Sequence, residues 1–371
     1  MKKIKILHAA NLQLDSPFEA LPPSKAAIAR SEQRELLSSL AELSQSEKVD
    51  LVLLSGDLFD SAKAYYDSCA ELIKALNNIA APIFIAPGSQ DFYSAKSPYA
   101  KLKFPENVYI FTSHTMDRVE LPGMRAVIYG AAFHDRSSEA MLKGFSAPKK
   151  EGWFNILCIN GVVGKPDSAF NPISEEDLEY SGIDYAALGH EIDASGLKKA
   201  GSCYYSWPGC PQGRGFNELG EKSVSIVELE DDKCSIRPVS IQSRKYQLLS
   251  VDITDSDPIL AIHSQLPDDT VRDIYRIELK GQREKSPDTA ALKEKFSHMF
   301  FELQIIDKTR LCRSVWDKAD ENSLRGLFLK KMQKLYKEAG SEEEKLMIEK
   351  AVRLGLEALD NSKEEISHEN K

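Results

Sequence analysis

Paired cysteine, long apolar runs and basic charge are scarce in this chain. Each shortage removes a class of protein. Its six cysteines (Cys69, Cys158, Cys203, Cys210, Cys234 and Cys312) are scattered through 371 residues with no Cys-x-x-Cys spacing. In a chain this long they read as buried thiols in a reducing cytoplasm, not as a disulfide framework or a zinc site. No stretch approaches the ~18–20 apolar residues of a membrane span. Met-Lys-Lys-Ile-Lys-Ile begins like a secretory leader, but His8 and the polar stretch from Asn11 to Asp15 cut the apolar segment short. The expectation is a cytoplasmic protein with no membrane partner. The net charge is −9. That speaks against a chain coated in nucleic acid, because phosphate binding needs clustered Lys and Arg, but it leaves room for a local basic groove. There is no internal repeat and no low-complexity tract.

What remains is the composition of an ordinary globular protein, 42% hydrophobic and 28% charged. The length is enough for more than one core. To about residue 240, strand and helix patterns alternate. Lys3 to Ala9, Leu51 to Ser55, Ile83 to Ala86, Ala126 to Tyr129, Phe154 to Ile159 and Tyr185 to Leu188 are short apolar runs; Ser24 to Ser46 and Tyr65 to Ile79 have helical periodicity. This is an α/β layout with a buried sheet. Ser223 to Glu228 and Ser235 to Val239 predict a hairpin through residues 230–233. From about Tyr246 a β-α-β-α-β set follows: Gln247 to Asp252, Pro258 to Gln265, Asp273 to Leu279, Asp288 to Met299 and Glu302 to Asp307. Two amphipathic helices come last. Leu324, Leu327, Phe328, Met332 and Leu335 are expected on one face of the first, and Ile348, Val352, Leu356 and Leu359 on one face of the second. Gly340 is expected to close the first, and Ser341 with Glu344 to form a capping box for the second. The domain reading is 1–243, a small α+β domain at 244–314, a helical hairpin at 315–360 and a tail at 361–371.

Five short motifs stand just after apolar runs: Ala10-Asn11-Leu12-Gln13, Ser55-Gly56-Asp57-Leu58-Phe59-Asp60, Pro87-Gly88-Ser89-Gln90-Asp91, Ile159-Asn160-Gly161 and Leu188-Gly189-His190-Glu191-Ile192-Asp193. In open α/β sheets, ligand sites lie at the carboxyl ends of strands, where such loops converge. Read alone, Asp57 has two explanations: a functional carboxylate, or a turn residue accepting backbone N–H bonds. His8, ending a strand, reads as a structural hydrogen bonder; His114 and His134 sit in loop-like surroundings.

In order and surroundings these motifs resemble the calcineurin-like metallophosphoesterases, and most closely the bacterial SbcD/YhaO-like DNA-repair exonuclease subunits. The resemblance covers the chain to about Asp360. It implies an α/β sandwich of two sheets flanked by helices, with a small α+β capping domain and C-terminal helices. It also implies two manganese ions held by seven ligands, and a histidine that protonates the leaving oxygen. Carried over residue by residue, Asp57 takes the place of the bridging carboxylate and His190 that of a second-ion ligand. Asn11 stands for a carboxylate, Gln13 for a histidine, Ser89 for an asparagine, and Asn160 and Ile192 for histidines; Gln90 takes the place of the catalytic histidine. An amide carries no charge to offset an ion, Ile192 has no donor atom, and Gln90 has no proton that titrates near neutral pH. The expectation is that no ion is tightly bound. A one-residue slip bringing in Glu191 or Asp193, with Asp15, Asp60 and Asp91 nearby, leaves room for one weakly held magnesium-like ion.

The loop from Pro208 to Lys222 also resembles its YhaO-like counterpart. Arg214 in it stands open between a phosphate contact and a local pair with Glu218. Arg272, Arg276, Lys280, Arg283 and Lys285 stand open between a DNA-facing surface and a solvated strand edge. The helical end resembles the element by which related subunits dock an SMC-like coiled-coil ATPase. The leading expectation is a pseudo-nuclease subunit that binds double-stranded DNA, such an ATPase, or both, as a homodimer or paired with an active paralogue. An active exonuclease or phosphodiesterase with a rebuilt ligand set is the alternative, and a small-anion or nucleotide sensor the third.

Overall fold

A computed structural model describes residues 3–61, 63–231 and 233–368, with the side chains of the last helix described to residue 360. The chain forms two compact units, 1–246 and 247–371. The first stacks two six-stranded sheets. One has the order Lys233–Val239, Val224–Glu230, Lys3–Ala9, Leu51–Leu54, Ile83–Ile85, Val108–Ile110; the other Lys198–Ala200, Cys203–Ser206, Tyr185–Gly189, Phe154–Asn160, Ala126–Gly130, Asp117–Leu121.

The central strands are apolar at consecutive positions because both of their faces are covered. Ile4, Ile6, Leu51, Leu53 and Phe84 point between the sheets, where they meet Ile128, Phe154, Ile156 and Tyr185. Leu7, Val52, Leu54, Ile83 and Ile85 point outward, onto Leu37 and Leu40 of helix Pro23–Ser46 and Leu72 and Leu76 of helix Tyr66–Asn77. On the far side, Leu157, Ile159, Ala186 and Leu188 pack with Leu178 of the short helix Glu175–Tyr180. This is the sandwich that the resemblance implies. Four of its strands, Val108–Ile110, Asp117–Leu121, Lys198–Ala200 and Cys203–Ser206, have no counterpart in the sequence reading. All six cysteines are free, but only Cys158, Cys203 and Cys210 are buried; Cys69, Cys234 and Cys312 are half-buried.

The second unit has a three-stranded sheet in the order Tyr246–Asp252, Ile274–Lys280, Glu302–Asp307. Helices Pro258–Gln265 and Thr289–Phe296, each capped by an aspartate side chain, pack Ile262, Leu292 and Phe296 against Val251, Tyr275, Ile277, Leu279 and Leu303. Helices Leu324–Glu338 and Glu342–His368 share a separate core of Leu311, Val315, Ala319, Leu329, Val352 and Leu356.

The expected stripe on the first of these two helices is rotated. Leu324, Leu327 and Leu335 are exposed, and Leu329 is buried in their stead. The reason is a close crossing: a Cβ at Gly355 would fall 2.3 Å from the Phe328 ring. Phe328 therefore seats on the glycine and turns Leu329 inward. Gly340 does not close the first helix with left-handed backbone. Its N–H donates to Glu344 Oε2 at 2.7 Å, while Ser341 Oγ accepts from the Glu344 N–H at 3.2 Å. The last helix runs through most of the stretch read as a tail, and residues 369–371 lie outside the described residues. Among the described residues no helix is long and apolar enough to cross a membrane.

Candidate functional site

The five motifs meet at the carboxyl ends of strands from both sheets. Asn11 and Gln13 follow Lys3–Ala9, Asp57 follows Leu51–Leu54, and Ser89 and Gln90 follow Ile83–Ile85. Asn160 ends Phe154–Asn160, and His190 follows Tyr185–Gly189. Asn160 Nδ2 bridges the sheets, donating to Ser55 O at 3.0 Å and lying 3.4 Å from Asp57 Oδ2. Asn11 donates its backbone N–H to Gly56 O at 3.0 Å and its Nδ2 to Glu191 O at 2.8 Å. The packing leaves no room at Gly189, where a Cβ would sit 1.8 Å from Ser55 O. Asn11, Gln13, Asp57 and His190 have φ of 52°, 45°, 54° and 84°. Side chains rarely adopt this left-handed region, and clustered strain of this kind marks functional loops.

Asp57 is buried, and its Oδ1 accepts the Gln90 N–H at 2.8 Å. Its neighbour Asp91 is the group that the sequence reading undervalued. One Asp91 oxygen accepts N–H bonds from Asp57 (3.1 Å) and Gly88 (2.8 Å). The other accepts from Leu58 (2.7 Å) and Phe59 (3.3 Å) and from the Tyr99 hydroxyl. Burial raises both carboxyls. Five donors hold Asp91 as the anion, since hydrogen bonds to a charged form favour it. Among the described residues Asp57 has one backbone donor and one amide, so of the two it is the one that keeps a proton below about pH 7. Burial, then the Asp91 charge, pushes it up to about 7. The Gly88-x-x-Asp91 spacing was the available signal for the clamp.

The remaining positions supply uncharged groups. Asn11 Oδ1, Ser89 Oγ, Asn160 Oδ1 and His190 Nδ1 are buried without a hydrogen-bond partner among the described residues. Burial lowers the pKa of His190, whose ring stacks on Phe170 with centroids 4.8 Å apart. Ile192 is half-buried and offers only its carbonyl, taken by the Cys210 N–H at 2.8 Å. The acids that a one-residue slip would bring in are paired elsewhere: Glu191 with Lys165 at 2.9 Å, and Asp193 with Lys222 at 2.7 Å. Asp15 accepts from the Tyr65 N–H and the Ser68 hydroxyl, and Asp60 from Ser16 Oγ and Arg214. Among the described residues no group of three or more His, Cys, Asp or Glu side chains is placed to hold a metal. One carboxylate against the four positive charges of two divalent ions does not fit a dinuclear centre. His8 is structural, with Nδ1 2.9 Å from Tyr185 Oη and Nε2 2.8 Å from Ser55 Oγ; burial lowers its pKa to about 3.

Arg214 adopts the local alternative. Glu218, 2% exposed, accepts from its N–H, Nε and Nη2 at 2.8, 3.1 and 2.5 Å. Sequence reasoning missed both how deeply Glu218 is buried and the buried Lys222 beside it. In the second unit, Arg276 donates to Gln304 Oε1, and Arg283 to the carbonyls of Ile253 and Ser256. Arg272, Lys280 and Lys285 are exposed. Two of the five basic residues, Arg276 and Arg283, are thus engaged in bonds within their own unit.

The family model of the calcineurin-like phosphoesterases matches residues 4–194, just over half of the chain. The uncharacterized metallophosphoesterase YhaO of Bacillus subtilis (strain 168) is 26% identical over 276 residues, 71% of this chain and 67% of that protein. DNA double-strand break repair protein Mre11 of Aeropyrum pernix is 23% identical over 280 residues, 69% of this chain and 65% of that one. The chain thus spans about two thirds of the length of these relatives. The crystal structure of TT1561 of Thermus thermophilus aligns with 63% of this chain and 98% of its own, at 14% identity and a TM-score of 0.41, a likeness too slight to carry an argument. The family is metal-dependent, the two curated relatives agree with an SbcD/YhaO-like member, and the chain belongs to the calcineurin-like phosphoesterases.

Proposed function

We propose that this chain is a nuclease-family subunit that has lost two-ion hydrolysis and acts by binding DNA, a coiled-coil ATPase of the SMC type, or both. The observation that carries the reading is the donor set at the ligand places. Against the four positive charges of two divalent ions, these places bring Asn11, Gln13, Ile192 and one carboxylate, Asp57. Its neighbours Asn160, Ser89 and Gln90 are uncharged, and the spare acids around the crevice are bound elsewhere. With Gln90 at the place of the catalytic histidine, that position itself offers no proton that titrates near neutral pH.

Two features support a binding role. One relative is named for double-strand break repair. The C-terminal helices expose Leu324, Leu327, Leu335, Met347 and Leu354 although they share a core of their own.

The test is to load the full chain with manganese, desalt it, count the metal and assay hydrolysis of linear duplex DNA. We expect well under one ion per chain and no hydrolysis above an Asp57→Ala control. Two retained ions, or activity that Asp57→Ala removes, would sink the proposal and favour a rebuilt ligand set.

A further inference from the structure

The second unit contains a cavity of about 490 Å³ that the resemblance does not explain. Its wall is formed by residues 284–286, Asp307, Arg325 and one side of the last helix. The volume lies in the range of small-molecule sites, about 300–1,000 Å³. Two arginines face it, and among the described residues both are poorly bonded. Arg353 is 7% exposed. Among the described residues its contacts are all long: Asp307 Oδ2 at 3.5 Å, Ser286 Oγ at 3.4 Å and Arg283 O at 3.3 Å. Arg325 reaches Glu284 and Asp360 only at 3.4 Å. The Nε of each arginine is buried without a partner among the described residues. Charge-assisted N–H···O bonds normally measure about 2.7–2.9 Å.

Arg310 provides a control within the same unit. It bonds Glu349 at 3.0 and 3.1 Å, Glu342 at 3.1 Å and Tyr336 at 3.1 Å. The nearby carboxylates are drawn away from Arg325 and Arg353. Glu284 Oε1 takes Lys318 at 2.7 Å, and Asp307 Oδ1 takes the Thr309 N–H and hydroxyl at 2.8 and 2.6 Å. A buried guanidinium short of acceptors is costly, and its planar fork matches phosphate. Beside the arginines, Leu356 and the exposed Leu354 supply an apolar wall, and Lys285 and Lys350 add positive charge.

We propose that this cavity binds a free phosphorylated molecule of nucleotide size. Its phosphate engages Arg325 and Arg353, and its body lies against Leu354 and Leu356. Glu284, Asp307, Glu357 and Asp360 also line the cavity, so cationic and anionic side chains balance. Affinity is therefore moderate, with a Kd between about 1 μM and 1 mM. The proposal is independent of the fate of the Asp57 crevice.

The test is calorimetric titration of the full chain with ATP, pyrophosphate, adenosine and a short DNA duplex. ATP should bind saturably, pyrophosphate more weakly and adenosine not at all. Arg325→Gln should weaken ATP at least 10-fold; Arg325 is a quarter exposed, so this variant tests binding without emptying the core. Arg353→Met should act in the same direction, with its melting temperature checked. No saturable ATP binding, ATP binding that Arg325→Gln leaves intact, or displacement of ATP by the duplex would overturn the proposal.

Discussion

Replacing Asp57 with asparagine keeps the shape of the side chain and removes one titrating group. The folded-state pKa of about 7, against an ordinary 3.8, is a shift of about three units. That corresponds to about 4 kcal/mol of preference for the neutral form. Between about pH 4 and 7 the folded chain keeps a proton at Asp57 that the unfolded chain has released. The stability from this group is therefore complete below about pH 4 and is lost as pH rises through 7. Asparagine has no such loss. Its Nδ2 would face Asn160 Nδ2 across a gap now 3.4 Å wide, a cost that does not vary with pH. The informative quantity is thus the change in the stability difference with pH. From pH 5 to pH 8 the native chain should lose about 2–3 kcal/mol relative to Asp57→Asn. Urea unfolding at both pH values measures it. Trp316 lies in the second unit, so in a Trp316→Phe background Trp153 and Trp207 report the first unit alone. A constant difference across pH would refute the assignment of the proton to Asp57. Stabilisation by manganese in the native chain only would refute the proposed function as well.

His8 has the opposite sign. Its pKa of about 3 means that stability present above pH 6.5 is lost as pH falls toward 3. His8→Gln should flatten that acid limb by about 2–3 kcal/mol at pH 4.5; an unchanged pH profile would count against a neutral buried imidazole. Glu218→Ala leaves Arg214 without its main acceptor and should cost the first unit about 3–5 kcal/mol. A loss below about 1 kcal/mol, together with weaker DNA binding in Arg214→Gln, would restore Arg214 as a phosphate contact. In the helical hairpin, Leu356→Ala should cost about 2–5 kcal/mol, whereas the exposed Leu327→Ser should stay within about 0.5 kcal/mol. Equal losses by chemical denaturation would mean that both faces are packed.

The central strands were legible because strands covered on both faces are continuously apolar, as in Leu51–Leu54 and Phe154–Asn160. Two of the missed strands carry the marks of sheet edges. Asp117–Leu121 is Asp-Arg-Val-Glu-Leu and Lys198–Ala200 is Lys-Lys-Ala; charge protects an edge and erases the apolar signal. The stripe on Leu324–Glu338 was misread because periodicity gives the spacing of a face and not its rotation, which the Phe328–Gly355 contact sets. At the site, motif order located every loop. The partners of each group were not legible. Asp91 looked like one acid among several until four backbone N–H groups were seen to converge on it.

In many metal sites the ion is also the fastener that holds its loops in place. Here the Asp91 carboxylate has that office: it ties the Asp57 turn to the Gly88 turn and anchors both to Tyr99. The turns therefore keep their spacing through protein groups alone. Ser89, whose Oγ has no hydrogen-bond partner among the described residues, lies between the two ends of this tie and can change without cutting it.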